Sequence, residues 1–460
     1  MTQVVQESLW TTDVVAPLVS RELRPIHYLG SKLRLLDQIR QTLDEVDPAG
    51  GRVVDLFSGS GTVSAALAQS RPVTAVDIQE FSRVLCSVLL RPRRLLEEEV
   101  RELKRGIVEL EVNQALAWCV APMLELEAQC FAEAVEGQHD RLSALLEGGA
   151  ILSQQHSALR QETQVGTALA STCERLAQNG ICNGPVSVIT RYYGGVYFSF
   201  GQALQFDSIL NAAHRTAPES RDVILAAVVS AASEVVNSVG KQFAQPIRLR
   251  TRSGEAKPHL VGKVLRDRSL SVKDSFARWL TRYESLEVGD FSNFAVRQDY
   301  AQFLGTVEGR LGAIYADPPY TRDHYSRYYH VLETMCLRDE PAVSRSNLGG
   351  GDVPSKGMYR EVRHQSPFCI KSRAPAAFDL LFARARKCDV PLVVSYSPFD
   401  KEGGAHPRLM SVQGIVEAAR RHYSKVDVQS VGRFAHSKFN AVRHSLEASD
   451  EAELLVVCSP

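Results

Sequence analysis

The spacing of apolar and polar positions changes character several times along the chain. Residues 33–46 (LRLLDQIRQTLDEV) repeat apolar side chains at helical spacing, and 52–57 (RVVDLF) form the short apolar run of a buried strand. A glycine turn, a small-residue helix (TVSAALAQ) and a second apolar run at 73–78 (VTAVDI) follow. This strand–turn–helix–strand order predicts a doubly wound parallel sheet. From about residue 92 the texture becomes amphipathic, and 95–178 alternates acidic and apolar residues with few glycines or prolines, as helices do. Residues 185–206 are aromatic and glycine-rich, 221–238 again read as helix, and 241–282 hold 11 Lys or Arg against 3 Asp or Glu. Strand character returns at 311–317 (LGAIYAD); a Gly, Ser and Arg-rich loop spans 344–375; another buried strand is predicted at 391–398 and late strands near 425–430 and 452–458. No internal repeat is present. The simplest account is one α/β sheet domain in two parts, 1–94 and 290–460, interrupted by a large, mainly helical insertion at 95–289. Both halves of the sheet are needed to bury its faces, so the insertion must leave and re-enter at neighbouring points.

Composition narrows the function classes. The chain of 460 residues exceeds one ordinary core, while its 44% hydrophobic and 23% charged residues are globular averages. With zero net charge and a pI near 7.2, any nucleic-acid footprint must be local. Nine scattered cysteines, never spaced CxxC, argue against a disulfide framework or a metal site and suit a reducing cytoplasm. The N-terminus lacks a signal-peptide pattern, and no run of about 18 apolar residues exists, so no membrane association is expected.

Two segments carry chemistry. The first is DLFSGSG, Asp55 to Gly61, between an apolar strand and a helix. Glycines at 59 and 61 let backbone approach a ligand closely, and at the carboxyl edge of such a sheet this turn is where a nucleotide-like ligand settles. Asp77 ends the next strand 22 residues on, the separation at which a carboxylate accepts hydrogen bonds from ribose hydroxyls; the plainer reading is a helix N-cap. The turn is not a phosphate loop, because no Lys-Ser/Thr pair follows the last glycine, nor a full GxGxxG, because position 64 is Ser. A nucleoside cofactor without a pyrophosphate is favoured.

The second is Asp317-Pro318-Pro319-Tyr320, after the strand LGAIYA. A ring-conjugated amino group is a poor nucleophile. A carboxylate and a backbone carbonyl that bind its two hydrogens favour a pyramidal nitrogen, and Asp317 and the Pro318 carbonyl suit that task. Two prolines stiffen the turn, and Tyr320 suits stacking on a base swung out of a helix. The plainer reading is a strand-end turn with Asp as cap.

HYLGSK (27–32), DLFSGSG, VDI around Asp77 and ADPPY, in this order, resemble the amino-group DNA methyltransferases, specifically the Dam-like adenine-specific family. The resemblance covers roughly 25–90 and 290–460. It implies a Rossmann-like S-adenosylmethionine-dependent methyltransferase sheet with a variable target-recognition insertion. It further implies that Tyr28, Gly30 and Lys32 border the methionine end of the cofactor, with Lys32 a partner for its carboxylate. Asp55, Phe57, Ser58, Gly59 and Gly61 are implied to line the cofactor, Asp77 to bind its ribose and Asp299 to meet its adenine amino group. Asp317, Pro318, Pro319 and Tyr320 become the catalytic turn. Plainer readings are a solvated charge for Lys32 and a helix cap for Asp299. The family's lysine motif is YxGGK, and Ser31 departs from it.

The resemblance makes double-stranded DNA the expected partner and a cognate restriction or defence nuclease a candidate one. Candidate phosphate contacts are Arg248, Arg250, Arg252, Lys263 and Arg266 in the basic stretch, Arg322, Arg327 and Lys371 after the catalytic turn, and Lys438 near the C-terminus. The basic stretch also holds Arg268, and RYYGGVYF (191–198) is either a base-contacting surface or a buried strand pair. Competing readings are a cytosine-N4 or RNA amino-methyltransferase, or a catalytically idle DNA-binding subunit.

Overall fold

A computed structural model describes residues 23–30, 32–155, 163–251, 253–322, 324–346, 353–397, 408–431 and 453–460. Ser31, Arg252 and Lys438 lie outside them. Its centre is a seven-stranded sheet of β1 (Val53–Leu56), β2 (Val73–Asp77), β3 (Phe294–Arg297), β4 (Ala313–Ala316), β5 (Leu392–Tyr396), β6 (Lys425–Val431) and β7 (Glu453–Ser459). The strands lie in the order β3-β2-β1-β4-β5-β7-β6. All neighbours from β3 to β5 pair in parallel, and β7 runs antiparallel between β5 and β6.

The strands at the sheet centre are continuously apolar because helices cover both faces. Side chains alternate faces along each strand. Val54, Leu56, Ile314, Ala316, Val394 and Val456 therefore pack on one side against helices Tyr300–Thr306, Ala374–Arg386 and Val412–Arg420. Val53, Ala75, Ala313, Tyr315 and Val393 pack on the other against helices Leu36–Val46, Thr62–Leu67 and Glu80–Leu90. β3 escaped the apolar pattern because it is a short edge strand with its side chains partly exposed; Phe294 is shielded by the Arg52 guanidinium, 5.1 Å from its ring.

Between β2 and β3 the chain is helical. Helix Pro218–Val235 is apolar almost all round, which marks a buried helix. It packs on helices Phe200–Ala213, Val272–Glu284, His330–Leu337 and Glu80–Leu90, so the inserted helices share a core with segments on both sides of the insertion. Asn293 joins the exit and re-entry points: its Oδ1 accepts from the Val73 N–H (2.8 Å) and its Nδ2 donates to the Leu90 carbonyl (3.3 Å). The stretch Glu97–Val135 is long and apolar enough, by length and composition, to cross a membrane. Its second half, helix Glu111–Val135, instead buries Leu116, Cys119, Val120, Met123 and Cys130 at helical spacing, in a core shared with helix Gln164–Gln178.

Two surface readings of the sequence are corrected by packing. RYYGGVYF is buried, as one of its two readings had it, but it ends helix Val188–Tyr193 instead of forming a strand pair: Arg191 to Phe198 are buried, the Arg191 guanidinium pairs with Glu340 at 2.6 Å, and the Tyr193 hydroxyl meets the Thr334 hydroxyl at 3.1 Å. Arg268, inside the basic stretch, is also buried, 3.4 Å from Glu127 and donating to the Gly195 carbonyl at 3.0 Å. It locks helices together and is shut off from phosphates.

Candidate active site

The order of strands reverses between β1 and β4, and a cleft opens where both end. Ligands of open α/β sheets settle at such a switch point. β1 runs into Phe57, a non-glycine residue held at φ 61°, then Gly59 (φ 54°) and Gly61 (φ 77°). Backbone in this region costs an L-residue roughly 1–2 kcal/mol, a strain typical of functional turns. The two glycines are required by close protein contacts: a Cβ on Gly59 would sit 2.5 Å from the Tyr28 hydroxyl, and one on Gly61 2.8 Å from Leu89 Cδ1. Asp77 fastens this turn to the end of β2, its Oδ2 accepting from Gly59 N–H and its Oδ1 from Gln79 N–H, each at 2.9 Å. Burial raises its pKa. Asp55 is buried beneath the turn, accepts from the Ser64 hydroxyl at 2.5 Å, and is pushed up to about 7 by burial.

The segment before the first helix crosses over this turn. Leu29 N–H donates to the Tyr329 hydroxyl (2.8 Å), His27 N–H donates to Ser233 (2.9 Å), and Tyr28 stacks on Tyr329 with ring centres 5.1 Å apart. Lys32 is thereby delivered, only 5% exposed, to the end of β4. Its ammonium lies 3.1 Å from Asp317 Oδ1, 2.5 Å from Glu453 Oε1 and 3.4 Å from the Tyr320 hydroxyl. Burial works against its charge, but Asp317, Tyr320 and Glu453 more than offset it, so Lys32 stays protonated.

Asp317 follows β4, and its N–H lies 3.5 Å from the Leu56 carbonyl, which keeps the Asp-Pro-Pro-Tyr turn beside β1. Burial raises the Asp317 pKa, Lys32 opposes that rise and Glu453 adds to it. Oδ1 of Asp317 faces the Lys32 ammonium as an ion pair, at an angle outside ordinary hydrogen-bond geometry. Tyr320 sits edge-on to Tyr396 (5.1 Å), with the Arg408 guanidinium 4.7 Å from its ring centre.

The cleft holds about 970 Å³ of empty space when its open mouth is counted. Its wall brings together Tyr28, Gly30, Lys32, Phe57, Asp77, Asp299, Asp317, Pro318, Pro319 and Tyr320. Asp55, Ser58, Gly59 and Gly61 are not among its lining residues, although Gly59 contacts two that are, Asp77 and Tyr28. Asp299 both lines the cleft and caps helix Tyr300–Thr306, its Oδ1 accepting from Ala301 N–H (2.9 Å) and Gln302 N–H (3.3 Å). Sequence reasoning missed Glu453, Arg408 and the wall formed by His364, Pro367 and Cys369. None of these carried a signal in the sequence; Glu453 reads there only as a carboxylate opening a late apolar strand.

The candidate phosphate contacts divide. Arg322, Arg327 and Lys371 are exposed, and Arg327 lies over the Tyr359 ring at 4.4 Å. In the basic stretch, Lys263 is tied to Asp267 (2.6 Å), Arg250 pairs with Asp140, Arg266 is mostly exposed, and Arg248 is half-buried.

These features define a class of site: a cleft at the reversal point of an α/β sheet, whose wall holds an Asp-Pro-Pro-Tyr turn and Phe57, the residue that leads into a glycine bend. Comparison with known proteins makes the class specific. Residues 28–110 match the family model of D12 class N6 adenine-specific DNA methyltransferase, a span that holds the lysine segment, the glycine turn and Asp77. The chain is 24% identical over 176 residues, 38% of its length, to the type II methyltransferase M.FokI of Planomicrobium okeanokoites. It is 34% identical over 114 residues, 24% of its length, to the modification methylase LlaI of Lactococcus lactis subsp. lactis. The matches span 24% and 16% of those relatives. The resemblance drawn from the motifs is thus met over residues 28–110 by the family model, and both relatives are methylases by name.

Proposed function

We propose that the chain is a site-specific DNA adenine-N6 methyltransferase that uses S-adenosylmethionine, built on a Rossmann-like sheet and acting on an adenine flipped from the duplex. The observation that carries this reading is the meeting of Asp317 with the turn after β1 across one cleft, in a chain whose residues 28–110 match the adenine-specific family. The residues present fit the cofactor. Phe57, Val76, Ile78 and Tyr300 offer an apolar wall for a nucleoside base, and Asp77 and Asp299 place carboxylates beside it.

S-adenosylmethionine, when bound, supplies a methyl group already activated on a sulfonium. The protein's work is then alignment and electrostatics. Asp317 and the Pro318 carbonyl accept from the two amino hydrogens of the target base. Tyr320, braced by Tyr396, offers its ring to that base and offsets part of the unstacking cost of a few kcal/mol. Arg322, Arg327 and Lys371 hold phosphates; Arg248 adds to that footprint, as do Arg250, Lys263 and Arg266 once Asp140 and Asp267 release them. Arg252 and Lys438 are proposed for the same role from the sequence alone.

The test is transfer of tritiated methyl from S-adenosylmethionine to duplex DNA by the wild type and by Asp317→Ala, with cofactor binding followed by calorimetry. Asp317→Ala is expected to bind cofactor within a few-fold of wild type and to transfer nothing. Retained transfer sinks the role of Asp317. Competition by RNA in place of duplex DNA redirects the substrate, and a wild type that binds no cofactor points to a non-catalytic DNA-binding subunit.

A further inference from the structure

Glu453 stands at the centre of the site, yet nothing in the motifs called for it. It opens β7, the one strand reversed against its neighbours. That reversal brings the first residue of β7 to the edge where β4 and β5 end, beside Ser395 and Tyr396. A single oxygen, Oε1, receives the Lys32 ammonium at 2.5 Å and the Tyr320 and Ser395 hydroxyls at 3.3 Å each. Lys32 thus lies nearer to Glu453 than to Asp317, with which it also forms an ion pair at 3.1 Å.

We propose that Glu453 is a positioning residue of the reaction: it draws the Lys32 ammonium towards itself, and so keeps an Asp317 oxygen available to the incoming amine instead of letting the ammonium close fully onto it. The proposal rests on the reading of Asp317 as the amine-binding carboxylate. The charge balance supports it. A lone Asp317–Lys32 pair is neutral and mutually satisfied. With Glu453 ionised the trio carries one net negative charge, which suits a site that receives a cation. The other groups facing Asp317 are Tyr320 on its own turn, Tyr315 on β4, Asp55 on β1, and Tyr28 and Tyr325 from the cleft wall, with Arg408 over Tyr320. Lys32 and Arg408 are the cations of this set, so the placement of Lys32 strongly affects the state of Asp317.

Glu453→Gln removes the charge and keeps an oxygen for Tyr320 and Ser395. The ammonium should then close onto Asp317. Loss of the nearby like charge lowers the Asp317 titration midpoint by about one pH unit. The acid limb of the pH–rate profile should move down with it. Turnover at neutral pH should fall about tenfold or more, with the cofactor affinity changed far less. Glu453→Asp, which keeps the charge, should restore part of the turnover and most of the limb. The Asp317 midpoint is read directly by carboxyl carbon NMR of aspartate-labelled protein, assigned by loss of the signal in Asp317→Asn, with neither DNA nor cofactor present. If the methyltransferase reading fails but the coupling is real, this midpoint still moves. An Asp317 midpoint and turnover both within twofold of wild type in Glu453→Gln overturn the proposal. If Glu453→Gln does not fold, the same comparison is made with Glu453→Asp, where an unshifted profile at reduced turnover supports the proposal and full turnover overturns it.

Discussion

Replacing Lys32 by Met probes the buried charges most sharply, because the stem is kept and only the ammonium is lost. Lys32 is 5% exposed, and its two carboxylate partners, Asp317 and Glu453, are 23% and 17% exposed. Removing one partner of a buried ion pair costs about 3–5 kcal/mol, and the residual exposure of the carboxylates places this case near 3 kcal/mol. That cost depends on pH in a definite direction. Without Lys32, the two neighbouring carboxylates cannot both ionise cheaply, so at least one has a folded-state pKa raised above its unfolded value. The folded variant then binds more protons than the unfolded chain, and its stability falls as pH rises through that interval. Relative to wild type, the variant should lose about 3 kcal/mol at pH 8. It should recover about 2 kcal/mol by pH 5, the worth of roughly one and a half pKa units at about 1.4 kcal/mol each. Urea unfolding of both proteins at the two pH values measures the difference. A deficit below about 1 kcal/mol, or one that does not change with pH, refutes the charge arrangement.

Gly59→Ala should weaken S-adenosylmethionine binding about tenfold or more, or about 1.4 kcal/mol by calorimetry, because its Cβ collides with Tyr28 at 2.5 Å. Gly50→Ala is the matched control, with a left-handed φ of 65° but open space around the added carbon, and should cost only backbone strain and leave binding intact. Asn293→Ala should destabilise the fold by about 1–3 kcal/mol in denaturant titrations, since it orphans the buried Val73 N–H and Leu90 carbonyl where the helical insertion rejoins the sheet. Arg322→Ala, Arg327→Ala and Lys371→Ala should each weaken DNA binding similarly for all sequences and flatten the log-affinity versus log-salt slope by about 0.9; a steepness unchanged in the triple variant removes these residues from the DNA face.

Much of the sheet was legible because its strands are buried on both faces and so read as unbroken apolar runs. VVDL, VTAVD, AIYA and LVVSY all became strands within a residue or two of their expected bounds. Phe294–Arg297 was not legible, because an edge strand with partly exposed side chains carries no such run. The Asp-Pro-Pro-Tyr turn and the glycine turn were legible as local strings, and the fold brings them to one cleft. Lys32 was legible as a site residue, but its partner was not: Glu453 meets Tyr320 across 133 residues of chain, through a strand whose reversed direction no local pattern encodes. The basic stretch misled for the converse reason. Charge counted along the sequence omits acids brought in by folding: Asp140 and Glu127 come from outside 241–282 to pair with Arg250 and Arg268, and Asp267 within the stretch holds Lys241 and Lys263. RYYGGVYF stayed open between surface and core, since aromatic and glycine content does not say which side of a helix bundle a segment will face, and the structure buries it.

The central claim is that one cleft joins a methyl donor to an amine held at Asp317. The most direct measurement is to expose duplex DNA to the purified protein and isotopically labelled S-adenosylmethionine, digest it to nucleosides, and identify the labelled species by chromatography and mass spectrometry. The account predicts label in N6-methyldeoxyadenosine alone, and none with Asp317→Ala. Label confined to deoxycytidine, or equal label from both proteins, contradicts it.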